Sequence, residues 1–266
     1  MRTGTAGRLP GEALCGHAVR IYHEDAELVA CVAAYLAGGL AAGEPAVAVV
    51  TREHRAGLAA ALARLGHDPP ALEAAGLLTT ADAEATLAGF LEGDGPSAGR
   101  FHTVIGALLA EAQRGRPGKP VRVFGEMVDL LARRGRHEAA LAVEELWDGL
   151  VGRRGISLLC AYRLDLFDAE TQRRVLPRVY RAHDHVEPAL DPARLEHAVA
   201  HALDEALGRE EAERVRRLAA DAPRDAHVPA AQLALLWVSA RMPAAAGRIL
   251  AAARAAYERP APAGAR

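Results

Sequence analysis

Residues 17–28 read HAVRIYHEDAEL, and the class of fold can be recognised from these twelve residues. The first half, HAVRIY, is rich in the β-branched and aromatic side chains that are typical of a buried strand, and an amphipathic helix follows it. The junction from Tyr22 to Glu27 contains no glycine. A strand that leads straight into a helix predicts a unit of an α/β protein.

The alternation of strand and helix continues to about residue 165. Four further apolar runs predict strands, and their uninterrupted apolar character is typical of strands buried on both faces of a parallel sheet. These runs are PAVAVVT (45–51), LLTT (77–80), VRVFG (121–125) and ISLLCAY (156–162). Helical patterns lie between the runs, two of them after the capping residues Thr51 and Ser97. We therefore predict a layered α/β fold with a mostly parallel sheet of five or more strands and a ligand crevice at their carboxyl ends.

The pattern changes after Asp165, where no further strand is visible. Residues 168–186 are predicted to form one helix, and Asp191-Pro192, Pro229 and Pro243 mark the starts of others. The apolar stripes of these helices need a surface to cover them, either the core or another chain. We divide the chain into three parts, which are a flexible N-terminus at 1–16, an α/β domain at 17–188 and an all-helical C-terminal extension at 189–266.

The composition limits the possible partners and compartments. The net charge of −2 offers no general attraction to nucleic acid or to an anionic membrane. The longest apolar runs, such as Ala46 to Val50, are far shorter than the roughly 20 residues of a membrane helix, and no secretory signal is recognisable. Cys15, Cys31 and Cys160 are widely spaced, which favours reduced thiols. We expect a soluble, cytoplasmic protein that contacts neither nucleic acid nor membrane directly.

The junction after the first strand argues against a nucleotide site. A phosphate loop needs glycines followed by a Lys-Ser/Thr pair at this point, because backbone N–H groups must surround the phosphates. Here Glu24, Asp25 and Glu27 stand where phosphates would lie, and their charges would repel them. ATP hydrolysis by the usual mechanism is therefore not expected, and the leading interpretation is a protein without enzymatic activity.

Glu126 is the first candidate for a functional side chain. It follows the fourth predicted strand, with Asp129 one turn further on, so its carboxylate should lie over the crevice. There it could orient a ligand, bind a cation or act as a general base; alternatively, it only favours the start of the helix that follows Gly125. His23 lies at the predicted edge of the crevice, whereas His17 opens the first strand and could equally be a core histidine.

Histidines after the last predicted strand are candidate metal or haem ligands. His183 and His185 end the helix that leaves that strand, so a divalent metal or haem could bind there. His197 and His201 are spaced i, i+4 and would project from one helical face, but no third ligand accompanies them. On a polar helix the same spacing needs no metal.

Several segments together resemble the MEDS family, the sensory domain of DcmR-type regulators. The segments GHAVRIYHEDAEL, RVFGEMVDLL, LAVEELWDGL, SLLCAY and AHDHVEP occur in the order of that family over residues 16–188. The resemblance implies a RecA-like three-layer fold that has lost its phosphate loop. It also implies a role in sensing small organic molecules, proposed to be hydrocarbon derivatives, within bacterial signalling and transcription regulation.

The resemblance can be carried over to individual positions. The recurring residues of the family would fall on His17, Tyr22, Asp25, Phe124, Gly125, Glu126, Glu145, Trp147, Cys160, Tyr162, His183, His185 and Pro188. Two positions depart from the pattern, because His23 stands where an acidic residue is expected and Asp148 where an amide is expected. These departures affect the identity of the ligand more than the fold.

The resulting hypothesis is a small-molecule sensor that signals through its C-terminal helices. In a RecA-like strand order the first strand lies between the fourth and the fifth, so the ends of all three should converge on the ligand. The expected ligand contacts are His17, Tyr22, His23, Asp25, Glu126, Tyr162 and Arg163. Two alternatives stay open. One is an enzyme or sensor that depends on a metal or haem held by His183 and His185, together with Glu126. The other is a pure interaction module whose C-terminal helices bind a protein partner or a second copy of the chain.

Overall fold

The computed structural model describes residues 16–187, 191–222 and 228–259, without the side chains of 152–154. The predicted flexible N-terminus, apart from Gly16, and the predicted domain boundary at Pro188 lie outside the described residues. The chain divides after Arg163 into two compact units. The division at 188 stays a prediction.

The first unit alternates strands with helices. Its strands are β1 (Gly16–Tyr22), β2 (Ala46–Val50), β3 (Leu78–Asp82), β4 (Leu91–Glu92), β5 (Gly95–Pro96), β6 (Val121–Gly125) and β7 (Ile156–Arg163). Its helices are α1 (Asp25–Ala41), α2 (Arg52–Arg64), α3 (Pro69–Ala74), α4 (Ala83–Phe90), α5 (Ala98–Ala112), α6 (Met127–Arg133) and α7 (His137–Arg154). All five predicted strands are confirmed. Thr51 caps α2 by accepting a hydrogen bond from His54 N at 3.4 Å, whereas the Ser97 side chain forms no cap bond on α5.

Five strands of this unit form a parallel sheet in the order β3-β2-β6-β7-β1. The predicted parallel α/β sheet is therefore confirmed. The predicted place of the first strand is wrong, because β7 lies between β6 and β1 and pairs with both. The physical reason is that apolar runs report burial on both faces of a strand, while they carry no information about which neighbour it pairs with. The carboxyl ends of β1, β6 and β7 still meet, since β7 joins the other two.

Helices cover both faces of this sheet. Side chains alternate between the two faces along each strand. One set packs against α1 and α2 in a continuous core that includes Leu36, Leu62 and Phe124. On the other face α5 and α7 meet through Phe101 and Trp147, whose rings pack edge to face with centroids 5.3 Å apart. The first unit is thus a three-layer structure.

The order in which the chain forms the strands reverses direction at one position in the sheet. From β2 the chain passes to the neighbouring strand β3 on one side, and from β6 it passes to β7 on the other. The direction of winding therefore reverses between β2 and β6. In open α/β sheets, ligands bind outside the carboxyl ends of the strands at such a reversal. A ligand site is therefore expected at the carboxyl ends of β2 and β6.

The second unit is mainly helical. Its described elements are a π-helical turn (Thr171–Val175), α8 (Leu176–Arg181), β8 (His185–Glu187), α9 (Pro192–Leu207), α10 (Arg209–Ala220), α11 (Ala230–Arg241) and α12 (Pro243–Glu258). The predicted helix starts at Pro192 and Pro243 are confirmed, and α11 begins at Ala230, one residue after the predicted Pro229. The Asp191 side chain caps α9 by accepting from Arg194 N at 3.1 Å.

One prediction for the second unit is wrong. The helix expected over 168–186 ends at Arg181, and His185–Glu187 forms a strand where none was expected after Asp165. A strand of three residues is too short to show the alternation by which a strand is recognised.

The helices of the second unit have a core of their own. Buried side chains on α9 and α12 pack together, among them Leu195, Leu203 and Ile249. Across the described ranges, no helix combines the length and the apolar character that crossing a membrane requires.

Candidate functional site

Seven residues meet where the parallel strands end, and we call them the carboxyl-edge cluster. Parallel strands bring their carboxyl ends to one edge of the sheet, so residues distant in sequence become neighbours there. The cluster consists of Tyr22, Asp25, Thr51, His54, Glu126, Asp129 and Arg163.

Glu126 connects β2 to β6 at the reversal of winding. Its buried carboxylate accepts a hydrogen bond from the backbone N–H of Thr51 at 2.5 Å, and its other oxygen bonds to Nδ1 of His54. Its own N–H donates to Val49 O at 3.0 Å. Although Glu126 precedes α6, its side chain forms no cap bond on that helix. The carboxylate is thus bound to the start of α2 instead of capping α6, and its role toward a ligand stays a prediction.

His54 is held in one orientation by Glu126. The hydrogen bond to Glu126 raises the pKa of His54 above the ordinary value of 6.5, and burial opposes this rise. The other ring nitrogen, Nε2, is buried and forms no hydrogen bond with any described residue. Asp25 Oδ1 lies 3.4 Å from Nε2, within ion-pair distance. His54 thus presents an N–H donor that is only partly satisfied.

Asp129 joins three elements on the other side of the cluster. It accepts hydrogen bonds from the Tyr22 hydroxyl at 2.8 Å and from Arg163 N at 2.7 Å. Burial raises the pKa of the Asp129 carboxyl, and these bonds oppose the rise. Burial and the neighbouring Asp129 also raise the pKa of the Tyr22 phenol, so Tyr22 stays neutral and donates.

Asp25 and Arg163 form the part of the cluster that faces solvent. Arg163 Nη1 lies 3.4 Å from Asp25 Oδ1, and the two side chains are 41% and 51% exposed. The same oxygen of Asp25 lies 3.4 Å from Nε2 of the buried His54.

The predicted lack of a phosphate loop is confirmed by the geometry of the junction. Only His23 and Glu24 separate β1 from α1, and Glu24 has an extended backbone. Two residues are too few to surround a phosphate group with backbone N–H donors. Asp25 and Glu27 then place two carboxylates in the first turn of α1.

The structure brings some of the predicted contact residues together and separates others. Tyr22, Asp25, Glu126 and Arg163 belong to the carboxyl-edge cluster, and exposed His23 lies beside it. His17 and Tyr162 do not belong to it. The sequence analysis did not single out His54. It could have been found as a polar residue in the first turn of the helix that follows β2, the strand at which the winding reverses.

His17 and Tyr162 belong instead to a second group, which we call the His17 cluster. It comprises His17, Glu144, Asp148, Cys160 and Tyr162, from β1, α7 and β7. The imidazole of His17 contacts Asp148 Oδ1 through Nδ1 at 2.6 Å and Glu144 Oε2 through Nε2 at 3.1 Å. The cluster lies between the sheet and α7.

Glu144 is the centre of the His17 cluster. Its Oε2 accepts from the Cys160 thiol at 3.2 Å, and its Oε1 accepts from the Tyr162 hydroxyl at 2.7 Å. Burial lowers the pKa of His17, but the bonds to Asp148 and Glu144 outweigh it and raise the value to about 9. Burial raises the pKa of the Cys160 thiol and of the Tyr162 phenol. Cys160 is buried, as its place in the apolar run at 156–162 predicts, but no pattern in the sequence indicated the carboxylate beside its sulfur.

The histidines predicted as metal ligands lie in the second unit. His183 is buried just after α8, and its Nδ1 donates to Val179 O at 2.6 Å. His185 lies in β8 with Nε2 3.1 Å from Glu187 Oε1. His197 is exposed and its Nδ1 donates to Ala193 O at 2.7 Å. Metal or haem binding by His183 and His185 stays a prediction.

Comparison with known proteins identifies one family. A family model described as MEDS, the MEthanogen/methylotroph, DcmR Sensory domain, matches residues 16–184, which is more than half of the chain. The matched span contains every residue of the carboxyl-edge cluster and of the His17 cluster. A comparison with curated proteins finds no match.

Proposed function

The chain belongs to the MEDS family of sensory domains, and from this membership we propose that it senses a small organic molecule bound at the carboxyl-edge cluster. The observation that carries the proposal is Nε2 of His54, a buried nitrogen without a hydrogen bond to any described residue. Its nearest acceptor is Oδ1 of the half-exposed Asp25, 3.4 Å away, so a ligand with a suitable acceptor would give this buried donor a closer partner.

The chemistry of the cluster limits the class of ligand. The bond to Glu126 favours the protonated ring of His54, so Nε2 donates and the ligand must offer an acceptor such as a hydroxyl, ether or carbonyl oxygen. Asp25, Glu126 and Asp129 already supply three carboxylates around this position. A phosphorylated or strongly anionic ligand would be repelled. An uncharged organic molecule with such an acceptor suits this cluster best.

Binding would act on the pair that faces solvent. Asp25 Oδ1 now lies 3.4 Å from His54 Nε2. A ligand that accepts a hydrogen bond from Nε2 would displace this oxygen. Asp25 starts α1, and its other partner, Arg163, is the last residue of the first unit. We propose that the ligand changes the populations of two arrangements of this pair, and that the helices of the second unit carry the response.

Family membership also motivates a proposal about ancestry and cellular role. We infer that the sheet is related to RecA-like sheets but has a different strand order, and that the two-residue junction of His23 and Glu24 replaces the phosphate loop. The setting implied by DcmR-type sensory domains is transcription regulation or signalling in the bacterial cytoplasm. The parallel three-layer structure of the first unit supports the first inference, and the family description supports the second.

The test is a binding screen with the full chain and a small panel of short alcohols, ethers and ketones. Calorimetry and native mass spectrometry of freshly purified protein would detect added and co-purified ligands. We expect at least one panel member to bind, with an affinity lowered about tenfold or more in His54→Gln, which corresponds to about 1.4 kcal/mol.

The matched control is His102→Gln, since His102 is an exposed histidine on α5, outside the cluster. It should bind as the wild type does. An empty screen, or binding that survives unchanged in both His54→Gln and Glu126→Gln, would refute the proposal.

A further inference from the structure

We propose that His17, Glu144 and Cys160 form a binding site for zinc or a similar late divalent metal ion, separate from the carboxyl-edge cluster. All three side chains are buried, and each offers one donor atom to a common point. The site would be additional to the sensory role and does not depend on it.

The spacing of the donor atoms fits a tetrahedral ion. His17 Nε2 lies 3.1 Å from Glu144 Oε2 and 3.4 Å from Cys160 Sγ, and the sulfur lies 3.2 Å from the same carboxylate oxygen. Zinc bonds of about 2.0–2.3 Å in a tetrahedral site place neighbouring ligand atoms about 3.4–3.6 Å apart. The three atoms therefore form one slightly contracted face of such a tetrahedron. The first unit supplies three of the four donors that tetrahedral zinc requires.

The donor set selects the kind of metal. Imidazole nitrogen and thiolate sulfur are ligands of zinc and other late first-row ions, whereas magnesium and calcium prefer oxygen alone. His17 supplies the nitrogen, Cys160 the sulfur and Glu144 one carboxylate oxygen. Zinc is the expected ion.

Outer hydrogen bonds hold two of the ligands in place. Asp148 Oδ1 lies 2.6 Å from Nδ1 of His17, so that nitrogen keeps its proton and Nε2 faces the metal position. The Tyr162 hydroxyl donates to Oε1 of Glu144 at 2.7 Å, which leaves Oε2 for the ion. A carboxylate behind a ligating histidine is the usual arrangement around protein-bound zinc.

The exchange of metal for protons balances in charge. In the metal-free protein the Nε2–H of His17 and the thiol of Cys160 both meet Oε2 of Glu144. When Zn²⁺ enters, bonds form from nitrogen, sulfur and oxygen to the ion, and the two protons leave to solvent. The buried charge is unchanged, because one doubly charged ion replaces two protons.

The experiment uses the full chain, stripped of metal and then loaded with Zn²⁺ or Co²⁺. Elemental analysis should find one zinc per chain. The cobalt form should show the visible bands of a tetrahedral site and a thiolate-to-cobalt charge-transfer band in the near ultraviolet. Cys160→Ser should lose the charge-transfer band, whereas Cys31→Ser, a change at a half-buried cysteine on α1, should keep it.

A milder variant tests the site without removing a ligand. Asp148→Asn keeps the shape of a half-exposed side chain and should weaken zinc binding about 10–100-fold through the outer shell. Glu145→Gln, an exposed neighbour on the same helix, is its control and should bind zinc as the wild type does.

The proposal is overturned if the wild type takes up no stoichiometric zinc, or if its cobalt form lacks the thiolate band. The cluster is then only a hydrogen-bond network that attaches α7 to the sheet. A band that persists in Cys160→Ser would also overturn it. Should Cys160→Ser fail to fold, the wild-type spectrum and the comparison of Asp148→Asn with Glu145→Gln decide the question.

Discussion

At the scale of single residues, Glu126 determines how the carboxyl-edge cluster is held together. One carboxylate oxygen is bound to the backbone of Thr51 and the other to the ring of His54, so both acceptors of a buried charge are used. Buried charges are tolerated when hydrogen-bonded in this way and are costly otherwise. Removing His54 should therefore change the stability of the protein by an amount that depends on the protonation state of the imidazole.

The first prediction concerns pH and His54→Gln. Since the folded protein raises the pKa of His54 above 6.5, folding favours its protonated form. The stabilisation is then fully present below about pH 6.5 and is lost as the pH rises through the folded pKa. His54→Gln should reduce the free energy of unfolding by about 2 kcal/mol at pH 6 and by clearly less at pH 9.

Urea unfolding of both proteins at several pH values measures this difference. The charged groups facing His54 are Glu126 and Asp25. His102→Gln, a change at an exposed histidine outside the cluster, is the control. A constant difference for His54→Gln would contradict the prediction.

A second prediction concerns the bond between Tyr22 and Asp129. Tyr22→Phe removes the hydroxyl that donates to the buried carboxylate at 2.8 Å and leaves that oxygen short of a donor. We expect the free energy of unfolding to fall by about 1–3 kcal/mol. Chemical denaturation measures this change, and unchanged stability in Tyr22→Phe would contradict the prediction.

At the scale of elements, α1 approaches the sheet unusually closely at Gly39. A β-carbon at this position would lie 2.6 Å from Nε of Arg122. Arg122 is buried on β6 and held by Glu44 Oε2 at 2.7 Å and Tyr35 O at 2.9 Å, so it cannot move aside without losing these bonds. Glycine is required here by packing, since its backbone torsion angles are those of an ordinary helix.

Gly39→Ala should therefore destabilise the protein by about 1–3 kcal/mol, although alanine is the better helix former. Gly106→Ala on α5 is the matched control. No atom lies within 4 Å of its added carbon, so it should stabilise the protein by about 0.5–1 kcal/mol. Thermal unfolding of the two variants measures both signs. Equal effects of the two substitutions would contradict the packing argument.

At the scale of the whole molecule, the chain divides into two compact units. Each unit contains one of the two tryptophans, Trp147 on α7 and Trp237 on α11. Units with their own cores unfold as separate steps more often than as one. Fluorescence from each tryptophan can therefore report on one unit at a time.

Leu203→Ala on α9 tests this separation. It creates a cavity in the core of the second unit and should cost that unit about 2–5 kcal/mol. In a Trp147→Phe background the remaining signal should shift to lower denaturant concentration. In a Trp237→Phe background the signal from Trp147 should shift much less. Equal shifts in both backgrounds would show that the chain unfolds as one cooperative body.

Local pattern in the sequence was enough to establish the fold class. The five buried strands, the helix starts at Thr51, Asp191 and Pro243, and the acidic junction at Asp25 could all be predicted, because apolar periodicity and capping residues act within a few positions of the chain. Family membership could also be predicted, because several short segments recur in one order.

Tertiary structure alone decided the order of the strands and the partners in both clusters. His54 and Glu126 are 72 positions apart, and His17 and Cys160 are 143 positions apart. Their contacts depend on which strands become neighbours, and strand pairing is set by how helices cover both faces of the sheet. A buried residue looks the same in the sequence whether it meets a leucine or a carboxylate, so the thiol beside Glu144 could be seen only in the folded chain.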